Sequence, residues 1–485
     1  MNLAANQASL GFILSIAFRK IFPERMLVIE HSFGDGYFCH DNEWMPFSKG
    51  ELNILTREIN SILNNPEPIR LTKRPREWVV REFKKLHSVS KSGNLQLWKD
   101  DPLPMVQYKN SWDYCIEPMT SDKTRLKQFE IRKFNNGFLL RFPTLLNPGT
   151  VGSFRNQPKL FSVMEEHERW GDILGVRTIH DLNETIHSGE IRELLWVAEG
   201  LHEKKISDIA DVLVNNFPDK RIITIAGPSS SGKTTFAKRL AIQLRVIGFR
   251  ARQISMDDYF HDRKNIPLDK NGHQDFENVQ AVNIKLLAER MNSLLRGKEI
   301  PVRKFNFEAG IGEDRNQTLQ LGRDDFVILE GIHGLNPVLA EALGKDQLQR
   351  IYISAITQLN IDSTHRVSTS DNRLLRRMIR DYKYRGYSAE ETLNRWPSVR
   401  RGEEQYIFPF QEEADMMFNS ALLYELPVLT ESCLKLLEKV GKQPSLEDTV
   451  SRLRVLLTFF LPLKIDIVPG ISILREFVGA SEFEY

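Results

Sequence analysis

The sequence predicts an α/β protein: a parallel sheet with helices packed on it in the second half, preceded by an α+β region. Three observations carry that reading. Downstream of residue 221, the strand-like runs "IITIA" (222–226), "FVILE" (326–330) and "RIYIS" (350–354) alternate with helical stretches. Parallel strands joined by helical crossovers leave this pattern. The stretch "NNFPDKR", Asn215–Arg221, breaks the preceding helical pattern, with Pro218 as the stop. Residues 1–150 instead mix short helical and strand signals around turns such as "FGDG" and "FNNG". The expected divisions are 1–150, an α+β domain; 151–218, a mostly helical connector; 219–429, the parallel-sheet domain; and 430–485, a helical extension and tail.

Composition narrows the class. A chain of 485 residues, 41% hydrophobic and 27% charged, can bury more than one core and reads as an ordinary globular protein. A net charge of +2 gives no reason to expect a nucleic-acid or membrane partner. Cys39, Cys115 and Cys433 are scattered and odd in number. They imply no disulfide framework, so a reducing cytoplasm is the expected setting.

Taken in order, the apolar run "LGFILSIAF" is too short to span a bilayer and predicts a buried helix. His31, Cys39 and His40 have no metal-ligand spacing and read as strand and turn residues. "RLTKRPREWVVREFKKLH", Arg70–His87, interleaves Trp78 and Phe83 with positive charge. That mixture suits an amphipathic surface helix better than an RNA contact. Leu194, Val197, Leu201, Ile206, Ile209 and Leu213 recur at near-helical spacing before the break at Pro218.

Gly227-Pro-Ser-Ser-Ser-Gly232-Lys233-Thr234 fits G-x-x-x-x-G-K-[ST]. Context gives the pattern its weight. The β-branched run before it suits a buried strand, and Phe236, Ala237, Leu240, Ala241 and Leu244 after it share one helix face. Glycines let successive N–H groups turn inward toward phosphate oxygens, and the helix N-terminus adds positive potential. Gly227, Ser229, Ser230, Ser231, Gly232, Lys233, Thr234 and Thr235 are thus the expected phosphate cradle. Lys233 would reach the β- and γ-phosphates, and the Thr234 hydroxyl would ligate Mg²⁺.

Two acidic positions could complete such a site. Asp257, in "ISMDDYF", follows the second expected strand, and Glu330 ends "DDFVILE". Ligands of open parallel sheets bind beyond the carboxyl ends of the strands, so both acids should face the cradle. His333 reads as a packed, hydrogen-bonded residue. In "NRLLRRMIRDYKYRG", Arg373, Arg376, Arg377 and Arg380 share one helix face. Arginines grouped in this way can neutralise a transferring phosphoryl group.

"GPSSSGKTT", "SMDDYF", "DFENVQA", "VILEGIHGL" and "RRMIRDYKYRGYS" occur in the order seen in the phosphoribulokinase/uridine kinase family, from about Arg221 to Leu429. "RWPSVRRGEEQYIFPFQEEADMMFNSALLYEL" resembles its long bacterial nucleoside-kinase variety. The resemblance implies a P-loop kinase that uses ATP and Mg²⁺ on a small molecule. It implies Asp257 as proton acceptor and metal-sphere ligand, and Glu330 as holder of the metal or its water. It places Glu277 on the ribose hydroxyls and Arg376, Arg380 and Arg385 in a mobile lid. The sequence departs from the family where a Tyr-Asp-Phe and a histidine read the pyrimidine. Here Phe305 and Asn306 stand in "KFNFEAGIGEDR", no histidine follows, and Tyr387 replaces a basic lid residue.

"FPERMLVIEHSFGDGYF" and the segment from "DYCIEP" to "GFLLRFP" resemble the editing domain of threonyl-tRNA synthetases. That resemblance implies a fold without its activity. The first helix lacks the His-x-x-x-His pair, and Cys115 lacks its accompanying histidine. The sequence-based expectation is ATP-dependent phosphorylation of a nucleoside hydroxyl, uridine- or cytidine-like. The alternatives are a kinase of another sugar or small alcohol, and an ATP-sensing RNA-binding protein. No Asn-Lys-x-Asp or Leu-Ser-Gly-Gly motif points to a GTPase or a transporter ATPase.

Overall fold

The central strands of a parallel sheet are covered by helices on both faces, and the apolar runs Ile222–Ala226 and Phe326–Leu329 are fully buried. The structure, a computed structural model, describes residues 3–145, 147–269, 272–357 and 359–484. The chain divides into two units, Met1–Leu194 with Thr357–Asn372 and Leu423–Lys464, and Leu195–Ile356 with Arg373–Leu422 and Ile465–Tyr485.

In the second unit the elements run β1 (Ile222–Ala226), α1 (Lys233–Val246), β2 (Arg250–Ser255), α2 (Ile284–Leu295), β3 (Ile300–Asn306), β4 (Ile311–Leu319), β5 (Asp325–Glu330), β6 (Leu348–Ser354), α3 (Thr369–Tyr384), α4 (Ala389–Tyr406) and β7 (Met416–Asn419). The sheet order is β7-β6-β1-β5-β2, parallel throughout, while β3 and β4 form a separate antiparallel ribbon. Every residue of β1 is buried, as are Phe326–Leu329 of β5. Glu330 pairs in register with Ile225 on one side and Ser255 on the other. The carboxyl ends of β1, β2 and β5 therefore lie at one edge, where the strand order reverses around β1. That switch point is where α/β sheets bind ligands.

The first unit is α+β. A four-stranded antiparallel sheet joins Leu27–Phe33, Gly36–Asp41, Gly137–Arg141 and Glu130–Phe134. A three-stranded antiparallel sheet joins Arg70–Arg74, Leu103–Tyr108 and Ser111–Tyr114. The N-terminal apolar run lies in the helix Leu3–Ile21, which buries Leu10, Ile13, Leu14, Ala17 and Phe18 against the first sheet. Among the described residues no helix is long and apolar enough to cross a membrane.

Candidate active site

The phosphate cradle is built by backbone geometry. Ser230 has φ +60° and Gly232 has φ +85°, so the loop makes two left-handed steps before α1 begins. A Cβ on Gly227 would lie 2.0 Å from the Ile353 carbonyl oxygen, so only glycine fits there. The Ser230 and Ser231 hydroxyls are buried and have no hydrogen-bond partner among the described residues. Buried polar atoms are normally paired, so two orphaned hydroxyls in one loop mark a place made for an acceptor group. A phosphate fits that description. Lys233 donates to the Gly227 and Pro228 carbonyls at 2.9 and 3.2 Å.

The sheet edge delivers the acids. Asp257 lies in the short 3₁₀ turn Met256–Tyr259, directly after β2, and Glu330 closes β5. Burial pushes the Lys233 pKa down, and the charges of Glu330, Asp257 and Glu476 oppose that shift. Burial raises Asp257, with Lys233 and Arg385 opposing. Glu330 is pushed up to about 7 by burial and by the Asp257 charge. Burial therefore outweighs the cations that reach these carboxyls, Lys233, Arg385 and Arg380 for Asp257 and Lys233 for Glu330. Hard oxygen ligands suit Mg²⁺, and Asp257 and Glu330 offer two such carboxyls at this edge.

The neighbouring aspartate has a different task. Asp258 accepts from the Lys304 ammonium at 2.9 Å and from the Phe305 N–H at 3.3 Å, which ties the turn to β3. Glu277 is pushed up to about 7 by burial, with Arg377 opposing. Gly402 lets α4 pass close by, since a Cβ there would sit 2.4 Å from the Glu277 Cβ.

The arginines of α3 divide into two pairs. Arg373 and Arg376 are fully buried. Arg373 forms a two-pronged ion pair with Glu403, one prong at 2.7 Å, and donates to the Ser229 carbonyl at 3.0 Å. Arg376 donates to the Ser420 carbonyl at 2.8 Å and the Ser230 carbonyl at 3.4 Å. Both therefore brace the loop from its carbonyl side. Arg377 donates to the Ser229 hydroxyl at 2.7 Å, and Arg377 and Arg380 share Asp381 at 3.1 and 2.8 Å. Arg385 reaches the same aspartate at 3.7 Å. His333 is buried and held neutral, its pKa pushed down to about 4 by burial.

Two site residues carry no sequence signal. Glu403 of α4 accepts from the Ser229 N–H at 3.0 Å. Glu476, near the C-terminus, accepts from the Thr235 N–H at 3.1 Å and its hydroxyl at 2.7 Å. Their partners are 174 and 241 residues away in sequence, beyond the reach of any local pattern.

The first unit holds a cavity of about 80 Å³ lined in part by Gln7, Gly11, Tyr114, Cys115 and His365. Burial pushes the Cys115 thiol up to about 12, which leaves it protonated and a poor nucleophile at neutral pH. His31 Nε2 lies 3.0 Å from Glu168 and 3.8 Å from Glu30. Glu168 and Glu30 hold the His31 pKa above its usual value against burial. His40 joins it, 3.4 Å from Glu30. Trp78 and Phe83 pack on Trp112, with ring centroids 5.3 and 4.7 Å apart, so internal packing engages both aromatics of the basic stretch.

A glycine-rich turn between a central parallel strand and a helix, a lysine inside it and two acids at the adjoining strand ends define a P-loop phosphotransferase. Residues 222–423 match the phosphoribulokinase/uridine kinase family. A uridine kinase of Staphylococcus aureus (strain JH9) is 30% identical over 198 residues, 40% of this chain and 86% of that protein. The chain belongs to the phosphoribulokinase/uridine kinase family, and it is an ATP-dependent phosphotransferase acting on a small molecule. Among solved structures, a "Possible Uridine Kinase from Bacillus stearothermophilus" aligns at 16% identity with a TM-score of 0.31, covering 44% of this chain and 98% of that one. A D-glycerate 3-kinase from Cryptococcus neoformans aligns at 11% identity with a TM-score of 0.31, covering 43% and 89%.

Proposed function

We propose that the second unit transfers the γ-phosphoryl group of ATP to a hydroxyl of a nucleoside, in line and without a phosphoenzyme. The placement of Asp257 directly after β2 and of Glu330 at the end of β5, which pairs with the strand that leads into the Lys233 loop, supports this reading most directly. Lys233 and the loop N–H groups hold the β- and γ-phosphates. Asp257 takes the proton from the acceptor hydroxyl, and Glu277 binds neighbouring hydroxyls of the acceptor. Arg380 and Arg385, clustered on Asp381, supply positive charge to the transferring group. Mg²⁺, when bound, would neutralise phosphate charge and draw Asp257 and Glu330 into their ionised forms. An ionised Asp257 is the form that can act as a base.

The family name and the relative named as a uridine kinase favour uridine as acceptor. One observation favours a second reading, a different sugar or small alcohol. Phe305 is buried among Phe260 and Phe307, and the Asn306 side chain accepts from the Glu308 and Ala309 N–H groups at 2.9 and 3.0 Å. Asn306 thus shapes a turn and is engaged where a base-reading residue would need to be available. Turnover on a panel of nucleosides, sugars and small alcohols, followed by ADP release, separates the two. The nucleoside reading fails if only a non-nucleoside hydroxyl raises turnover. We read the first unit as an editing-like fold kept without hydrolytic chemistry. Incubation with aminoacylated tRNA should release no amino acid.

A further inference from the structure

The P-loop is contacted from outside the family match by residues 465–484. This segment is braced on itself. Arg475 donates to the Val468 and Gly479 carbonyls at 3.1 and 3.2 Å, and the Glu482 N–H donates to the Gly470 carbonyl at 3.0 Å. Ile473, Leu474 and Phe477 are fully buried. A Cβ on Gly232 would come within 2.5 Å of Ile473 Cγ2, so Ile473 rests on the turn that starts α1. Arg376 lies over the Phe477 ring at 5.0 Å, Lys383 donates to the Val478 carbonyl, and Lys238 of α1 donates to the Glu484 carbonyl.

Glu476 is the chemically pointed part of this contact. Thr235 is the third residue of α1, and the first-turn N–H groups of a helix have no carbonyl partner within the helix. In a loop-helix cradle those N–H groups are the donors that take phosphate oxygens. At Thr235 an anionic carboxylate already holds the N–H and the hydroxyl together. The same carboxylate lies within electrostatic range of Lys233 and Glu330. It therefore opposes a triphosphate in two ways, by taking a donor and by adding negative charge.

We propose that residues 469–484 form a displaceable cover on the P-loop, in which the Glu476 carboxylate holds a phosphate position until a nucleotide takes it. The inference rests on the nucleotide-binding reading of the loop and extends it to a segment of the chain outside the matched region. The test uses the full chain, with Glu476→Gln, Glu476→Ala and Lys233→Ala variants. ADP affinity is measured by calorimetry, and hydrogen exchange of residues 469–484 is followed with and without ADP. Removing one charge from a helix N-terminal anion site should tighten ADP binding about tenfold. Exchange in the segment should rise when ADP binds. Two glutamate variants guard against a local packing defect in either one, since Gln keeps the volume and Ala removes the competing oxygen altogether. The inference is overturned if both variants bind ADP equally or more weakly than the wild type, or if ADP leaves exchange in the segment unchanged. If neither the wild type nor the glutamate variants bind ADP, the nucleotide reading falls with it. Wild-type binding that Lys233→Ala abolishes keeps the two failures apart.

Discussion

The two units handle buried charge in opposite ways. In the first, Glu30 and His31 shift toward their charged forms: His40 and His31 hold the Glu30 carboxyl low against burial, and Glu168 and Glu30 hold the His31 imidazolium high against burial. In the second, burial drives Glu277 and Glu330 toward their neutral forms, both up to about 7, and the cations that reach them, Arg377 and Lys233 for Glu277 and Lys233 for Glu330, do not offset it. In the first cluster the partners hold one another in their charged forms against burial. In the second, buried acids held toward their neutral forms stand beside a lysine and a glycine-rich loop, and a metal carried in with phosphates would let them ionise. The contrast separates a structural ion network from a site, although both bury acids close to cationic side chains.

Activity should break first. Asp257→Asn keeps the loop and Lys233, so nucleotide affinity should hold while kcat falls by about 10²–10⁴, the usual cost of losing a positioned base. Near-normal turnover in steady-state assays would remove Asp257 from the proton-accepting role.

The next effect lies in the first unit and concerns stability. His31→Gln leaves Glu30 and Glu168 facing each other, and breaking a buried pair in this way costs about 3 kcal/mol. The sign with pH follows from the raised His31 pKa. Its contribution is complete below the unfolded value of about 6.5 and fades as pH rises through the folded value above it. Chemical denaturation should therefore show a larger gap between wild type and variant at pH 6 than at pH 9. An equal gap at both would mean that a neutral histidine does the packing.

Part of this contrast could be read in advance and part could not. The cradle, Asp257 and Glu330 were legible because each sits at a strand end flagged by a local run, and strand ends of a parallel sheet meet at one edge. The four arginines of α3 were legible as a face, but periodicity cannot say whether that face looks toward solvent or toward the loop. Arg373 and Arg376 are fully buried and bonded to loop carbonyls. Glu403, Glu476 and the pairing of His31 with Glu168 were illegible, because tertiary packing joins residues that no turn or repeat connects. Only the family resemblance singled out Asp257 from its neighbour Asp258, which Lys304 and the Phe305 N–H hold in the structure.

Removing an acid from the second unit should do the reverse of removing charge from the first. A carboxyl raised from 4.5 to about 7 in the folded state favours folding while protonated and loses that advantage as pH rises through roughly 5 to 7. Glu330→Gln should therefore stabilise the ligand-free protein at pH 8 by about 1 kcal/mol, after allowance for partial solvent access, and change little at pH 4.5. Thermal melts at the two pH values check this, and a destabilised variant at pH 8 would show that Glu330 is already balanced by its neighbours.

The smallest effect is the most local. Ser230 holds a left-handed backbone at φ +60° and buries a hydroxyl with no partner. Each feature costs the folded chain a little, and strain of this kind persists where a ligand later uses it. Ser230→Gly removes both costs and should stabilise the chain by about 1 kcal/mol. If the hydroxyl waits for a phosphate oxygen, the same variant should bind ADP several-fold more weakly, a gain in stability set against a loss in affinity. Calorimetry on one preparation reads both quantities. A variant more stable and equally tight would make the Ser230 hydroxyl a bystander and leave the binding to the backbone N–H groups and Lys233.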